Sequence, residues 1–182
     1  MSPIMLRDNI SMLLPETANA KMTINVKASA FANNAPIPDK HSAYFADVSP
    51  EISWTGVPNN AKSIVVMMED PDAALKPVTH WIIANLPPNL TGLPENVLKT
   101  EKYGDAVQGG NHTGKHGYYG PMPPPADKPH KYHFQVFALD TKLDLPSGFN
   151  RQALLDAMKN HVIAKGETVG TYQRKPDIRD KK

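Results

Sequence analysis

Residues 63–69 read SIVVMME, and residues 78–85 read VTHWIIAN. Each run is short, apolar and rich in β-branched or aromatic residues, which is typical of a strand that neighbouring structure covers on both faces. Pro87 and Pro88 close the second run, because proline has no N–H to donate to a ladder of hydrogen bonds. The two runs predict the centre of a β-sheet.

The sequence on either side predicts more strands and one helix. Three short strand patterns lie at 23–27 (TINVK), 52–54 (ISW) and 169–172 (VGTY), and a longer one lies at 130–139 (HKYHFQVFAL). Asn150 is placed to cap a helix that ends at Gly166. The apolar stripe of this helix is Leu154, Leu155, Met158 and Val162. Residues 90–129 show no sustained period and are predicted to be a loop, which at that length is usually functional or disordered. The whole pattern predicts a mainly β fold.

Composition limits the organisation and the partners of the chain. Its 182 residues, 40% of them hydrophobic, fit a single domain over 1–182, with a core at about 22–174, an irregular segment at 1–20 and a charged tail at 176–182. The 20 Lys and Arg residues nearly balance the 18 Asp and Glu residues and form no long basic block. Nucleic acid is therefore not expected as a partner. The absence of cysteine excludes disulfides and a cysteine nucleophile.

Hydropathy gives an expectation about location. No stretch approaches 18 apolar residues, so no transmembrane segment is predicted. Residues 1–20 lack the basic start and the continuous apolar run of a signal peptide. We therefore expect a cytoplasmic protein. The alternative is a periplasmic protein whose signal peptide was removed before Met1.

The first candidate site follows the strand 63–69. Asp70 and Asp72 come directly after it, and His80 lies near the start of the next strand. Two carboxylates and an imidazole are thus placed to converge at one end of a sheet, and we expect His80 to serve a ligand more than the core. The alternative is that Asp70-Pro71-Asp72 is only a turn and His80 a core histidine.

The second candidate site is a proline-rich stretch that leads into strand 130–139. Residues 118–125 read YYGPMPPP, and on the strand the period of two places His130, Tyr132, Phe134 and Val136 on one face. The imidazole and the phenol would then lie over an apolar floor, with the proline-rich stretch as a rigid wall. A plain connection or an exposed polyproline ligand is the alternative.

These segments together resemble the phosphatidylethanolamine-binding protein family, also called Raf kinase inhibitor-like, in its bacterial and archaeal branch. The matching blocks occur in the family's order at 49–54 (SPEISW), 69–73 (EDPDA), 80–87 (HWIIANLP), 120–124 (GPMPP), 130–132 (HKY) and 137–140 (FALD). The closing segments 160–162 (NHV) and 169–172 (VGTY) are similar as well.

The resemblance implies a fold and a ligand. The fold would be two antiparallel sheets packed as a Greek-key β-sandwich, with a peripheral C-terminal helix. The ligand would be a phosphate-type anion or a phosphorylethanolamine headgroup. The implied ligand-binding residues are Asp70, Asp72, His80, Gly120, Met122, Pro124, His130 and Tyr132. Ala74 and Met122 depart from the family's usual proline and cysteine, so the pocket rim is expected to be looser and more apolar.

Other functions stay open at this point. The resemblance implies no cofactor and no enzymatic activity, but it leaves room for a protein that inhibits a kinase or protease without a small ligand, and for a homodimer. A hydrolase using Asp70 and His80 is the weaker alternative, because no serine or cysteine nucleophile accompanies them. His112 and His116 have the spacing of a helical metal site, but the surrounding glycines predict a loop instead.

Overall fold

A computed structural model describes residues 9–74 and 77–176 of the chain. In these ranges the chain forms ten strands and one α-helix. The strands are β1 (Asn25–Ala28), β2 (Ala35–Pro36), β3 (Ile52–Thr55), β4 (Ser63–Asp70), β5 (Val78–Leu86), β6 (Gly92–Leu93), β7 (Lys102–Tyr103), β8 (Ala106–Gln108), β9 (His130–Leu139) and β10 (Val162–Tyr172), and the helix is α1 (Arg151–Met158). Short 3-10 turns cover Ser11–Leu13, Pro15–Thr17 and Asp39–His41.

The strands form two sheets. The larger has the order β2-β10-β9-β4-β5-β8-β7, and the smaller has the order β1-β3-β6. All the pairs are antiparallel except the short pair of β2 with β10, which is parallel. The predicted mainly β fold with two sheets and one helix is therefore confirmed, with one parallel edge pair that the sequence did not indicate. The Greek-key connection stays a prediction.

Two apolar clusters cover the two faces of the large sheet. The first fills the space between the sheets, where Val26, Ile52 and Trp54 of the small sheet meet alternate residues of β4, β5 and β9. The second lies on the opposite face, where Ile10, Met12, Leu154 and Met158 cover the remaining residues of the same strands. All eight residues of β4 are buried as a result. The prediction that its apolar run is covered on both faces is confirmed.

The helix is shorter than predicted. Asn150 caps it as expected, because its side-chain oxygen accepts a hydrogen bond from the Ala153 amide at 2.9 Å. The prediction of a helix reaching Gly166 is wrong, because α1 ends at Met158 and Asn160 turns the chain with a φ of 69°. Val162 and Gly166 belong instead to β10, of which the predicted strand 169–172 is only the last part.

Several regions predicted to be irregular contain short ordered elements. Residues 90–129 include β6, β7 and β8, and residues 9–20 form two 3-10 turns that pack on the large sheet. Residues 1–8 and nearly all of the predicted charged tail lie outside the described ranges. Within those ranges, no helix has both the length and the apolar character that crossing a membrane requires. The cytoplasmic location and the homodimer stay predictions.

Candidate functional site

A pocket of about 340 Å³ opens where β4 ends and where β5 and β9 begin. In the described part of the chain its lining residues are Asp70, Ala73, Ala74, Val78, His80, His112, Tyr119, Met122, Pro123, Pro124, Asp127, His130 and Tyr132. A larger groove of about 410 Å³ beside Trp54 and Leu90 has no titratable side chain in its lining. The pocket with the histidines and carboxylates is therefore the candidate site.

His130 lies between two carboxylates. Its Nδ1 is 2.7 Å from Oδ2 of Asp70, and its Nε2 is 2.8 Å from Oδ2 of Asp127. Since carboxylate oxygens only accept, the ring donates at both nitrogens and is an imidazolium. Burial alone would lower the pKa of His130, but the hydrogen bonds to Asp70 and Asp127 outweigh it and raise this pKa above its usual value. His130 therefore carries a positive charge between the two carboxylates of the pocket.

Asp70 is the buried partner of this pair. Only 3% of its side chain is exposed, and its second oxygen accepts a hydrogen bond from the Asp72 amide at 2.8 Å. Burial raises the pKa of Asp70, although His130 acts against the shift. Asp70 and His130 are therefore both charged at pH values between the pKa of the Asp70 carboxyl and the pKa of the His130 imidazolium.

His80 has the opposite electrostatic character. Its Nδ1 lies 2.6 Å from the carbonyl oxygen of Tyr119, so this nitrogen carries the proton. Burial lowers the pKa of His80 to about 4, and the neighbouring His112 and His130 add to the shift. The ring is therefore neutral near pH 7, and its Nε2 is an acceptor. His80 serves the pocket and the packing at once, because it lines the pocket and is only 4% exposed.

Aromatic rings surround the two histidines. The Tyr132 ring lies 5.2 Å from that of His80 and 6.3 Å from that of His130, between centroids. Burial raises the pKa of Tyr132, so its hydroxyl keeps its proton and remains a donor. At the mouth, the Tyr119 hydroxyl donates to the sulfur of Met122, which is half exposed. The looser, more apolar rim expected at Met122 stays a prediction.

The proline-rich wall is held by hydrogen bonds from residues 41–47. The Ala43 amide donates to Pro121 at 2.9 Å, and the Tyr44 hydroxyl donates to Pro123 at 2.5 Å. The Gly120 amide donates to Asp47 at 2.6 Å. The prolines have no amide proton of their own, so the bonds to the Pro121 and Pro123 carbonyls hold the wall in place.

The structure brings together six of the eight implied site residues. Asp70, His80, Met122, Pro124, His130 and Tyr132 line the pocket. Asp72 and Gly120 stand outside its lining in the described ranges. Asp72 braces the site by accepting a hydrogen bond from the Lys131 amide at 2.7 Å, and Gly120 supports the wall. The assignment of these eight residues to ligand binding stays a prediction.

Two lining residues with a carboxylate or imidazole side chain, His112 and Asp127, were not assigned to the site from the sequence. The glycines around His112 predict a loop, and this prediction is confirmed. Within the loop the His112 amide donates to Thr79 at 2.8 Å, and the His112 ring lies 5.1 Å from that of His80. Its spacing partner His116 bonds instead to the carbonyl of Gln108. Asp127 precedes His130 by three residues across a turn, and this spacing was the one available signal.

A family model described as phosphatidylethanolamine-binding protein matches residues 27–173 of the chain. Among curated proteins, a UPF0098 protein of Methanothermobacter thermautotrophicus is 43% identical over 152 residues, which cover 83% of this chain and 99% of the relative. A UPF0098 protein of Pyrococcus horikoshii is 44% identical over 158 residues, which cover 85% of this chain and 79% of the relative.

Two solved structures are similar along most of the chain. A phosphatidylethanolamine-binding protein homologue from Chlamydia trachomatis superposes with a TM-score of 0.76 at 38% identity and covers 86% of this chain and 99% of its own. The E. coli protein YbcL, described as a new member of the mammalian family, gives a TM-score of 0.78 at 31% identity and covers 84% of this chain and 99% of its own.

Proposed function

The chain belongs to the phosphatidylethanolamine-binding protein family, and from the site that it carries we propose that it binds a phosphoryl anion, free or in a phosphorylethanolamine headgroup. The anion would lie at Nε2 of His130, beside the hydroxyl of Tyr132. Membership alone does not decide the ligand, because unrelated functions occur on one fold. The proposal therefore depends on the geometry of this pocket.

One observation carries the proposal. Nε2 of His130 donates to an anionic oxygen, that of Asp127, at 2.8 Å. The other nitrogen is held by the buried Asp70, which keeps the ring charged and in one orientation. A charge-assisted hydrogen bond of this kind is about twice as strong as a neutral one. The position at Nε2 thus suits any small anionic oxygen that reaches it.

The remaining groups suit a ligand that also carries donors. His80 offers an acceptor nitrogen, and the carboxylates of Asp70 and Asp127 lie in the same pocket. A simple dianion would meet two like charges, whereas the ammonium group of phosphorylethanolamine would be attracted by them. We therefore place a zwitterionic headgroup ahead of inorganic phosphate. Of the two histidines we assign the role of imidazolium donor to His130 alone, because burial keeps His80 neutral.

We propose binding rather than catalysis for this site. The lining in the described ranges includes no serine, threonine or cysteine that could act as a nucleophile. His130 has carboxylates on both nitrogens, and Nδ1 of His80 is engaged by the Tyr119 carbonyl. These contacts favour a fixed set of donors and acceptors over a base that takes up and releases protons during a reaction.

Calorimetric titration with phosphorylethanolamine and with inorganic phosphate tests the proposal. We expect saturable binding that is weakened at least about tenfold by His130→Gln, which keeps a polar group but removes the charge. The matched control is His161→Gln, because His161 is an exposed histidine that pairs with Asp140 elsewhere. Equal affinities in the two variants would contradict the proposal. Capture of a kinase or protease with equal yield by wild type and His130→Gln would point to the inhibitor alternative instead.

A further inference from the structure

The free protein already holds an anionic oxygen at the position that the ligand would need. Asp127 accepts from Nε2 of His130 at 2.8 Å, and Asp70 accepts from Nδ1 at 2.7 Å. An imidazolium has two N–H donors, and both are used. A phosphoryl oxygen therefore gains a hydrogen bond from this ring only if one of the carboxylates leaves.

The two carboxylates differ in how easily they leave. The side chain of Asp70 is 3% exposed and is also held by the Asp72 amide, whereas that of Asp127 is 42% exposed. The backbone of Asp127 is anchored separately, through its amide to Pro124 at 3.2 Å and its carbonyl to Gln173 at 3.2 Å. Asp127 can thus turn its carboxylate into solvent while its backbone stays in place.

We propose that Asp127 is a specificity-determining residue of this site, whose carboxylate occupies Nε2 of His130 in the free protein so that an anion binds there only by displacing it. The inference rests on the proposed function, because it concerns the same donor. It adds that the protein carries its own competitor: the Asp127 carboxylate and an incoming anion would use the same N–H group of His130.

The competitor also affects which ligands bind. A short side chain displaced by rotation stays at the rim of the pocket, where its charge disfavours a second anion and favours a cation. A phosphoryl group alone meets this repulsion, whereas one that carries an ammonium group offers the displaced carboxylate a partner. Both ligands contain the phosphoryl anion. Only the lipid headgroup also carries an ammonium group, and this group distinguishes it from free phosphate.

Asp127→Ala tests the inference, with Asp144→Ala as the matched control. Asp144 is an exposed aspartate beyond the opposite end of β9. Removing the competitor raises the fraction of protein that is ready to bind. Because the ion pair is partly exposed, we expect phosphate affinity to increase by about two- to fivefold. The control should leave it unchanged. A smaller gain for phosphorylethanolamine than for phosphate would identify the headgroup as the preferred source, and equal gains would identify phosphate monoesters in general.

A second readout does not need a ligand. The imidazole resonances of His130, followed by NMR against pH, should show a lower pKa in Asp127→Ala than in wild type, because one of its two carboxylate partners is gone. An unchanged pKa, or an unchanged phosphate affinity, would overturn the inference while wild-type binding still supports the proposed function. If neither protein binds phosphate or phosphorylethanolamine, both proposals fall together.

Discussion

The buried carboxylate of Glu69 gives a prediction about what holds the pocket strand in place. Glu69 is fully buried on β4, next to Asp70 but on the other face of the sheet. Its Oε1 accepts from the Ser11 amide at 2.8 Å and from Gln135 at 2.7 Å, and its Oε2 accepts from Nε of Arg151 at 2.5 Å. The N-terminal segment, β9 and α1 therefore each donate a hydrogen bond to the Glu69 carboxylate.

We expect Arg151→Met to destabilise the fold strongly. Breaking a buried ion pair by removing one partner costs about 3–5 kcal/mol, because the other charge stays buried without a counter-ion. The Arg151 side chain is 16% exposed and two donors to Glu69 remain, so the expected cost is at the lower end, about 3 kcal/mol. For a domain of this size, each kcal/mol lowers Tm by about 2–4 °C, which gives a total of about 6–12 °C.

Urea and thermal unfolding measured by circular dichroism would check this value. Lys142→Met, at an exposed position, is the control and should change stability by less than about 0.5 kcal/mol. Glu69→Gln combined with Arg151→Met should recover much of the loss, since an amide oxygen still accepts from Ser11 and Gln135 but carries no charge. Failure of the double variant to recover stability would refute the buried-charge argument. Phosphate affinity well below Tm should stay within about threefold of wild type, because Glu69 faces away from the pocket.

Three further predictions concern the pocket. Sulfate, whose charge is constant, should lose affinity by up to about tenfold per pH unit as pH rises through the raised pKa of His130. A calorimetric affinity that stays flat across the NMR titration of this imidazole would contradict the role of the imidazolium. Gly120→Ala should lower the free energy of unfolding in chemical denaturation by about 1–3 kcal/mol and weaken binding, because the added Cβ would lie 2.2 Å from the His41 carbonyl oxygen. The control Gly110→Ala, whose Cβ would have 3.5 Å of clearance, should lower it much less. His80→Ala should weaken binding and also reduce the free energy of unfolding by about 1–3 kcal/mol, because it leaves the Tyr119 carbonyl without its hydrogen-bond donor. Unchanged stability would show that His80 serves the ligand alone.

Strand positions could be predicted from the sequence because burial on two faces leaves a clear pattern. β9 has the predicted bounds, and β4 and β5 extend one residue beyond them. The face shared by Tyr132, Phe134 and Val136 also follows from the period of two, and all three lie in the cluster between the sheets. The end of α1 could not be predicted in this way. Val162 continues the helical stripe in sequence, but the left-handed turn at Asn160 lets it start a strand.

The candidate site was predictable where its residues lie on strands or next to them. His80 and His130 follow from their positions on β5 and β9, and Asp70 from the end of β4. His112 could not be predicted, because its place in the pocket depends on a hydrogen bond to Thr79, which is 33 residues away along the chain. The neutral state of His80 was also beyond the sequence, since it results from burial by residues that are distant in the chain.

The ends of the large sheet have a consequence for self-association. Its two edge strands, β2 and β7, are each only two residues long, and β2 ends in Pro36, which has no amide proton to offer. Long, flat edges allow further strands to add and so lead to fibrils, and short edges with proline are the common protection against this. The two outermost strands of the large sheet therefore offer little backbone on which a strand from a second copy could add. The apolar central strands β4 and β9 are thereby kept away from the ends of the large sheet, where a second chain could pair with them.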